Sequence, residues 1–441
     1  MIPKKYPIGA RMSLSACGTD RFKAGMLSIS AVMPIERERV WLTPLLLSVL
    51  RRGTRQYPSL AELNRRLDYL YGTELAIRNF YRGDCQIIGF SVEMLGAGCL
   101  PAGEDLIGEI LDVVREILFF PLLDENGLLD ARYVESEKRH QCDSIRALKN
   151  NPRAYAAERC RAILYQNEPC GADPLGNEAD VMAVTPEALT RYWRQLTETL
   201  SLDCFYVGGD PAEHIADALG NTFGELLGEH AVSRCNTVPH LLAPTESVVR
   251  VDESLPFGQS HLLMGLTTGV SVCDPRYAVC AVWNEMLGVS PVSRLFVNVR
   301  EKLSLCYFCS SQYNAYKGAV VIHCGIDRAN RALAEEEILT QLRALAEGDF
   351  SETELHSAKK SLVNAYRQLE DSPAAIENFY YGRSLVGMSV SVRDFTKQFT
   401  EVTREQVIEF ARGVHVNAIY FLGGTLDSED MEEQEAADDD D

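Results

Sequence analysis

The first 139 residues of this 441-residue chain contain no histidine. None of its eight histidines (His140, His214, His230, His240, His261, His323, His356 and His415) has a second one four residues away. A catalytic zinc helix needs two imidazoles one turn apart and a glutamate to activate the water, so this chain cannot build one. A nucleophile elbow and a Walker loop are also missing, and the glycine pair Gly96 and Gly98 meets Pro101 where a dinucleotide loop needs its third glycine. No run of about 18 apolar residues is present, which excludes a membrane-spanning helix. The N-terminal MIPKKYPIGARMSLSACG lacks a continuous apolar stretch, so no secretory signal is expected. Basic residues number 43 against 63 acidic ones, with no basic stripe, and nucleic-acid binding is disfavoured.

What is present is an ordinary globular composition, 46% hydrophobic and 24% charged, at a length that predicts two or more domains. The net charge of −20 is unevenly spread: Asp427 to Asp441 holds ten acidic residues and no basic one, leaving about −10 for the rest. So charged a segment cannot bury enough apolar surface to fold, and residues 427–441 are expected to be a disordered acidic tail. Thirteen scattered cysteines without a small-domain framework point to free thiols in a reducing cytoplasm.

Periodicity divides the rest into two halves of one plan. In the first, a strand-like Met26–Met33 precedes an apolar helix at Leu42–Arg52 and an amphipathic helix with Leu60, Leu63, Leu67 and Leu70 on one face. A hairpin follows across a Gly83–Asp84 turn, then helices near residues 104–118, 132–147 and 186–200, and a closing strand CFYVGG at Cys204–Gly209. The second half repeats the order from Ser260–Thr267 through a hairpin at about 306–326 and long helices to IYFLGG at Ile419–Gly424. The predicted class is α+β: two tandem homologous domains, each a mostly antiparallel sheet with helices packed on one face. The expected boundaries are 1–231, a linker at 232–249, 250–426, and the tail.

Two further clusters invite a bland reading. Cys306 and Cys309 are three apart at the start of a predicted strand, so their side chains are expected on opposite faces, against a metal or redox site. Glu135, Glu137 and Lys138 read as a solvated helix face.

One segment is specific. SRLFVNVREKLSLCY, Ser293 to Tyr307, closely resembles the C-terminal-half signature of the insulinase and mitochondrial-processing-peptidase family: Ser-Arg-Leu-Phe, then Arg-Glu-Lys, then Leu-x-Tyr. PFGQSHLLMGL (Pro256–Leu266), NEMLG, PLGNEADVMAVTPEALTRYW (Pro174–Trp193) and LRRGTRQYPSLAELNRRLDYLYGT resemble other family segments in the family's order. The resemblance covers nearly the whole chain apart from the acidic tail.

The resemblance implies where a metal site has been lost. The family's His-x-x-Glu-His ends five residues before a Gly-Thr pair, and counting back from Gly53–Thr54 places its three positions, two metal ligands and the water-activating glutamate, on Pro44, Leu47 and Ser48. The distal glutamate falls at or near Ser144. What remains is Arg300 and Tyr307, spaced as in the family, where this pair reaches toward the zinc. A phenol can donate to the oxyanion of a tetrahedral intermediate, and a guanidinium can hold a peptide carbonyl or carboxylate. Read without the motif, Arg300 is a helix-end ion-pair former and Tyr307 a strand core residue. The resemblance implies a bacterial, cytoplasmic, zinc-less subunit, inactive alone, with zinc in a paralogous partner and an unfolded peptide as substrate. The alternative is a non-catalytic structural or peptide-binding protein of the same fold.

Overall fold

The computed structural model describes residues 2–101, 104–232 and 234–425. The acidic tail expected at 427–441 lies outside the described residues. In the first half the chain runs β1 (Lys4–Pro7), β2 (Met12–Gly18), β3 (Ala24–Pro34), α1 (Leu42–Arg52), α2 (Leu60–Tyr69), β4 (Glu74–Arg82), β5 (Cys85–Leu95), α3 (Leu106–Phe119), α4 (Ala131–Lys149), α5 (Pro152–Leu164), α6 (Glu178–Ala183), α7 (Pro186–Thr199), β6 (Leu202–Gly208) and α8 (Ala212–Leu227). The second half gives β7 (Val249–Leu255), β8 (Ser260–Thr267), α9 (Tyr277–Asn284), β9 (Cys306–Asn314), β10 (Ala319–Ile326), α10 (Arg331–Glu347), α11 (Glu352–Gln368), α12 (Pro373–Leu385), α13 (Val392–Glu401), α14 (Arg404–Arg412) and β11 (His415–Gly424).

The duplication read from the element order is present in the strand topology. One sheet is ordered β1-β2-β6-β3-β5-β4 and the other β7-β11-β8-β10-β9. Without β1, strands 2, 6, 3, 5 and 4 correspond in order to 7, 11, 8, 10 and 9. The single parallel pair falls at the same place in each, β2 with β6 and β7 with β11. Among the described residues all other pairs are antiparallel, so the sheets are mostly antiparallel as expected.

The chain groups into two units, and neither is continuous in sequence. Unit 1 comprises Met1–Arg146, Ala172–Val238 and Leu369–Ser391; unit 2 comprises Ala147–Gly171, Pro239–Gln368 and Val392–Asp441. Strand alternation explains how unit 1 is layered. Leu27, Ile29 and Ala31 of β3 and Cys204 and Tyr206 of β6 join one apolar core with Leu46, Leu47 and Leu50 of α1 and Ile110, Val114 and Ile117 of α3. The alternate residues Ser28, Ser30 and Phe205 point to the opposite face, and there they are fully buried. The cover is α12, whose Glu377 accepts from Ser28 Oγ at 2.9 Å and whose Tyr381 meets Phe205 edge-on.

Unit 2 receives α5 in the equivalent way. Ala156 and Cys160 pack on Leu263, Tyr420 and Leu422, and Arg159 is ion-paired with Glu253 of β7. The helix lies so close that a Cβ added to Gly265 would stand 2.6 Å from Leu164 Cδ1. Both helices begin after a side-chain cap and a proline, Asn151–Pro152 and Ser372–Pro373. The cap satisfies an orphan N–H while proline forgoes one, which sets each helix off sharply from the long helix before it.

The charged face expected on α4 is only partly solvated. Glu137 and Lys138 are 7% and 4% exposed: Glu137 is ion-paired with Arg52 of α1, and Lys138 Nζ donates to Val184 O at 2.9 Å and to Glu135 at 2.7 Å. Buried charges survive because each is paired and hydrogen-bonded.

Candidate functional site

The motif segment is anchored at one end and free at the other. After α9 the backbone widens into π-helical turns at Glu285–Val289 and again at Leu295–Lys302, a geometry frequent at functional sites. Leu295 and Val299, four apart and fully buried, hold the second stretch to the core. Arg294 fixes its start, donating to Gln341 Oε1 at 2.8 Å, Asp349 O at 2.7 Å and Glu354 Oε1 at 3.0 Å. Asn298 Nδ2 donates to the same Gln341 oxygen at 3.0 Å. The first arginine of the motif is therefore a positioning residue.

Arg300 stands at the other end. Its side chain is 42% exposed, its guanidinium stacks 4.7 Å from the ring centroid of Phe296, and Glu301 lies 3.7 Å away. With Lys302 it occupies the last helical turn, where positive charge complements the helix dipole. The chain then turns through Ser304, whose φ of 50° is uncommon for a residue with a side chain. β9 follows at Cys306. Tyr307 is 60% exposed, and its hydroxyl donates to Asp327 Oδ1 at 2.9 Å. That hydrogen bond holds the phenol above its ordinary pKa, so it stays a proton donor at neutral pH.

The start of β9 is irregular, which corrects the expectation for the two cysteines. Gly325 stands opposite Phe308 but Ile326 opposite Cys306, leaving Tyr307 as the extra residue of a β-bulge. The simple alternation fails here. Cys306 faces both Cys309 and its cross-strand neighbour Cys324, and hydrogen bonds from these two thiols, helped by the Arg300 charge, pull the Cys306 thiol below its ordinary pKa. The Arg300 charge thus acts on the first residue of the strand that carries Tyr307. A bulge leaves no mark in a stretch of alternating residues, so only the pairing exposes this cluster.

The positions that the resemblance aligns with a metal motif lie in unit 1. Pro44, Leu47 and Ser48 sit on α1, Leu47 fully buried and the other two half-buried; Ser144 sits on α4, exposed, its hydroxyl bonded to His140 O at 2.9 Å. The two helices are joined: α4 is bound to α1 through the Arg52–Glu137 ion pair, and Gln141 Nε2 reaches Trp41 O at 3.2 Å. A pyrrolidine, an isobutyl group and two hydroxyls offer neither imidazole nor carboxylate, so this set does not fit zinc.

One buried pair escaped the sequence reading. His323 Nε2 and His261 Nδ1 are 3.1 Å apart in unit 2, and burial pushes their pKa values down to about 3 and about 4. The two residues are 62 apart in sequence and meet only through the β8–β10 register. Among the described residues no helix is long and apolar enough to cross a membrane.

The comparisons with known proteins agree with the motif. Residues 183–362, which include the whole of Ser293–Tyr307, match the family model described as "Peptidase M16 inactive domain". The chain is 28% identical over 407 residues to a Bacillus subtilis (strain 168) protein called "Probable inactive metalloprotease YmfF", covering 92% of this chain and 94% of that protein. It is 24% identical over 305 residues to "Uncharacterized zinc protease YmxG" of the same organism, covering 68% and 71%. In fold it is similar to a conserved protein from Enterococcus faecalis V583 (TM-score 0.88, 22% identity, 97% of this chain and all of that one). It is also similar to a peptidase M16 inactive domain from Pseudomonas fluorescens (TM-score 0.78, 16% identity, 97% and 98%).

Proposed function

We propose, on the premise that this chain is a peptidase-like protein of the M16 type, that it is the non-metal subunit of a bacterial, cytoplasmic zinc peptidase heterodimer. In this reading a paralogous chain carries the zinc, and the two enclose an unfolded peptide. Arg300 holds a carbonyl or carboxylate of the peptide, and the Tyr307 phenol donates to the oxyanion that forms at the scissile carbonyl.

The observation that carries the reading is the exposure of both side chains on one helix–turn–strand segment whose other end is fixed by Arg294. Neither residue is committed to the core. Tyr307 needs only to exchange the Asp327 carboxylate for a substrate oxygen, and its raised pKa keeps the proton in place for that donation.

The test is to purify the chain alone and with a zinc-bearing paralogue, and to measure zinc content and peptide cleavage. The chain alone is expected to be metal-free and inert, and the mixture active. Tyr307→Phe in the mixture is expected to lower kcat by roughly 10²-fold or more, the cost of one oxyanion donor. Arg300→Ala should lower turnover as well, and both variants should assemble normally. Full activity in the variants would sink the catalytic role. The second reading is a structural or peptide-binding protein of the same fold; an inert mixture would select it.

A further inference from the structure

A pair of thiols in unit 1 has no part in that function. Cys85 is the first residue of β5, just past the Gly83–Asp84 turn, and is 3% exposed. Cys235 lies 150 residues later, half-buried, in the segment that leads out of α8 toward β7. Their Sγ atoms are 3.2 Å apart, and Cys85 Sγ also lies 3.3 Å from Asn236 O. Two residues after Cys235, Thr237 Oγ1 bonds to Leu385 O at the end of α12, so the chain is held on the C-terminal side of the thiol contact.

We propose that Cys85 and Cys235 are an oxidisable thiol pair whose substrate is an anionic small-molecule disulfide, and that closing it fastens residues 234–238 to the β4–β5 hairpin. The geometry is nearly that of the product. A disulfide needs about 2.05 Å between sulfurs, so each thiol moves by roughly half an ångström, within reach of a small χ1 rotation. Cys235 is the entry point. It lines an open cavity with Lys5 and Arg234, cations that favour an anionic reagent, although Asp203 stands 3.9 Å from Arg234 and offsets part of that charge. The thiols divide the labour: the hydrogen bond from Cys85 lowers the pKa of Cys235 and raises that of Cys85, which makes Cys235 the nucleophile.

The chemistry balances as two exchanges. The Cys235 thiolate attacks one sulfur of the reagent, whose S–S bond breaks and releases a thiolate. Cys85 then gives up its proton and attacks the Cys235 sulfur of the mixed disulfide, expelling the second thiolate. Two protein thiols are oxidised by two electrons, one reagent disulfide is reduced to two thiols, and both protons end on the released thiols.

The test treats the full chain with glutathione disulfide, traps remaining thiols with iodoacetamide in denaturant, and maps tryptic peptides by mass. The expected result is a Cys85–Cys235 linked peptide pair, both residues lost to alkylation, and recovery with dithiothreitol. Exposed Cys99 and Cys273 serve as unpaired controls. Cys85→Ser should leave Cys235 as a stable mixed disulfide, and Cys235→Ser should leave Cys85 alkylatable. In native digestion, cleavage after Arg234 should slow several-fold on oxidation of the wild type and not of Cys235→Ser. Equal alkylation of Cys85, Cys235 and Cys99 after treatment overturns the proposal. So does a link from Cys235 to another cysteine, or oxidation that leaves cleavage after Arg234 unchanged. If Cys85→Ser fails to fold, Cys235→Ser at its half-buried position carries the test alone. Activity is not among the readouts, so this result and the peptidase result stand apart.

Discussion

Replacing Glu377 by alanine removes the acid that binds α12 to the sheet of unit 1. The Glu377 side chain is 4% exposed and its Oε1 accepts from Arg78 at 2.9 Å and from Ser28 at 2.9 Å; Arg78 is itself 9% exposed. With the carboxylate gone, a buried guanidinium loses its counter-charge and a buried hydroxyl its acceptor. Breaking a buried ion pair by deleting one partner costs about 3–5 kcal/mol. The low end is expected, because the Arg78 guanidinium also lies 5.7 Å from the Tyr381 ring and 5.2 Å from that of Phe80. Glu377→Gln keeps a neutral acceptor and should cost about half as much. The double variant Arg78→Met with Glu377→Leu removes both charges and should recover most of the loss. A chain of two units need not unfold in one transition, so the assay is native-state hydrogen exchange of the α12 and β4 amides, with urea unfolding followed by tryptophan fluorescence. A loss under about 1 kcal/mol for Glu377→Ala, or a double variant as unstable as the single one, refutes the assignment of this pair as the anchor of α12.

The remaining predictions concern pH, backbone and reactivity. His261 and His323 are neutral when folded, with pKa values of about 4 and about 3, but take up protons below about pH 6.5 once unfolded. A depressed base contributes stability above the unfolded pKa. Unit 2 should therefore lose up to roughly 1.4 kcal/mol per pH unit per ring as pH falls from about 6.5 toward about 4, and His261→Gln with His323→Gln should flatten that part of a stability–pH profile. Gly89 has a φ of +138°, and an added Cβ would lie 2.0 Å from Ile29 O, so Gly89→Ala should open the β3–β5 ladder and cost more than about 2 kcal/mol in thermal or urea melts. Cys306 should alkylate faster than Cys309 at neutral pH, and slower in Cys324→Ser and Arg300→Ala, measured by mass spectrometry after brief iodoacetamide exposure; an unchanged rate in Arg300→Ala contradicts the placement of that guanidinium.

Much of the architecture was legible from periodicity. The helix read at Leu42–Arg52 and the hairpin turning at Gly83–Asp84 appear with those bounds, because an apolar stripe and a turn dipeptide are local signals. The closing strands with their paired glycines marked the duplication, and the strand order bears it out. The exchange of α5 and α12 was not legible. Met26 to Met33 alternates apolar and small polar residues, the pattern of a strand with one wet face, yet Ser28 and Ser30 are fully buried under α12. A serine that bonds a buried carboxylate and a serine that bonds water look alike in sequence.

The candidate site divides along the same line. Composition and spacing alone determined that no helix carries two histidines one turn apart, since a zinc helix demands particular atoms in a particular register. The motif likewise placed Arg300 and Tyr307 by number. Only the tertiary structure decided that the two side chains are exposed while Arg294 is spent on Gln341, Asp349 and Glu354, and that a bulge turns Cys306 toward Cys309 and Cys324. The same holds for the contact of Cys85 with Cys235 across 150 residues. Donor chemistry belongs to each residue and can be read one letter at a time. Exposure, register shifts and long-range contacts depend on which distant segment covers a surface, and that is settled only when the whole chain has packed.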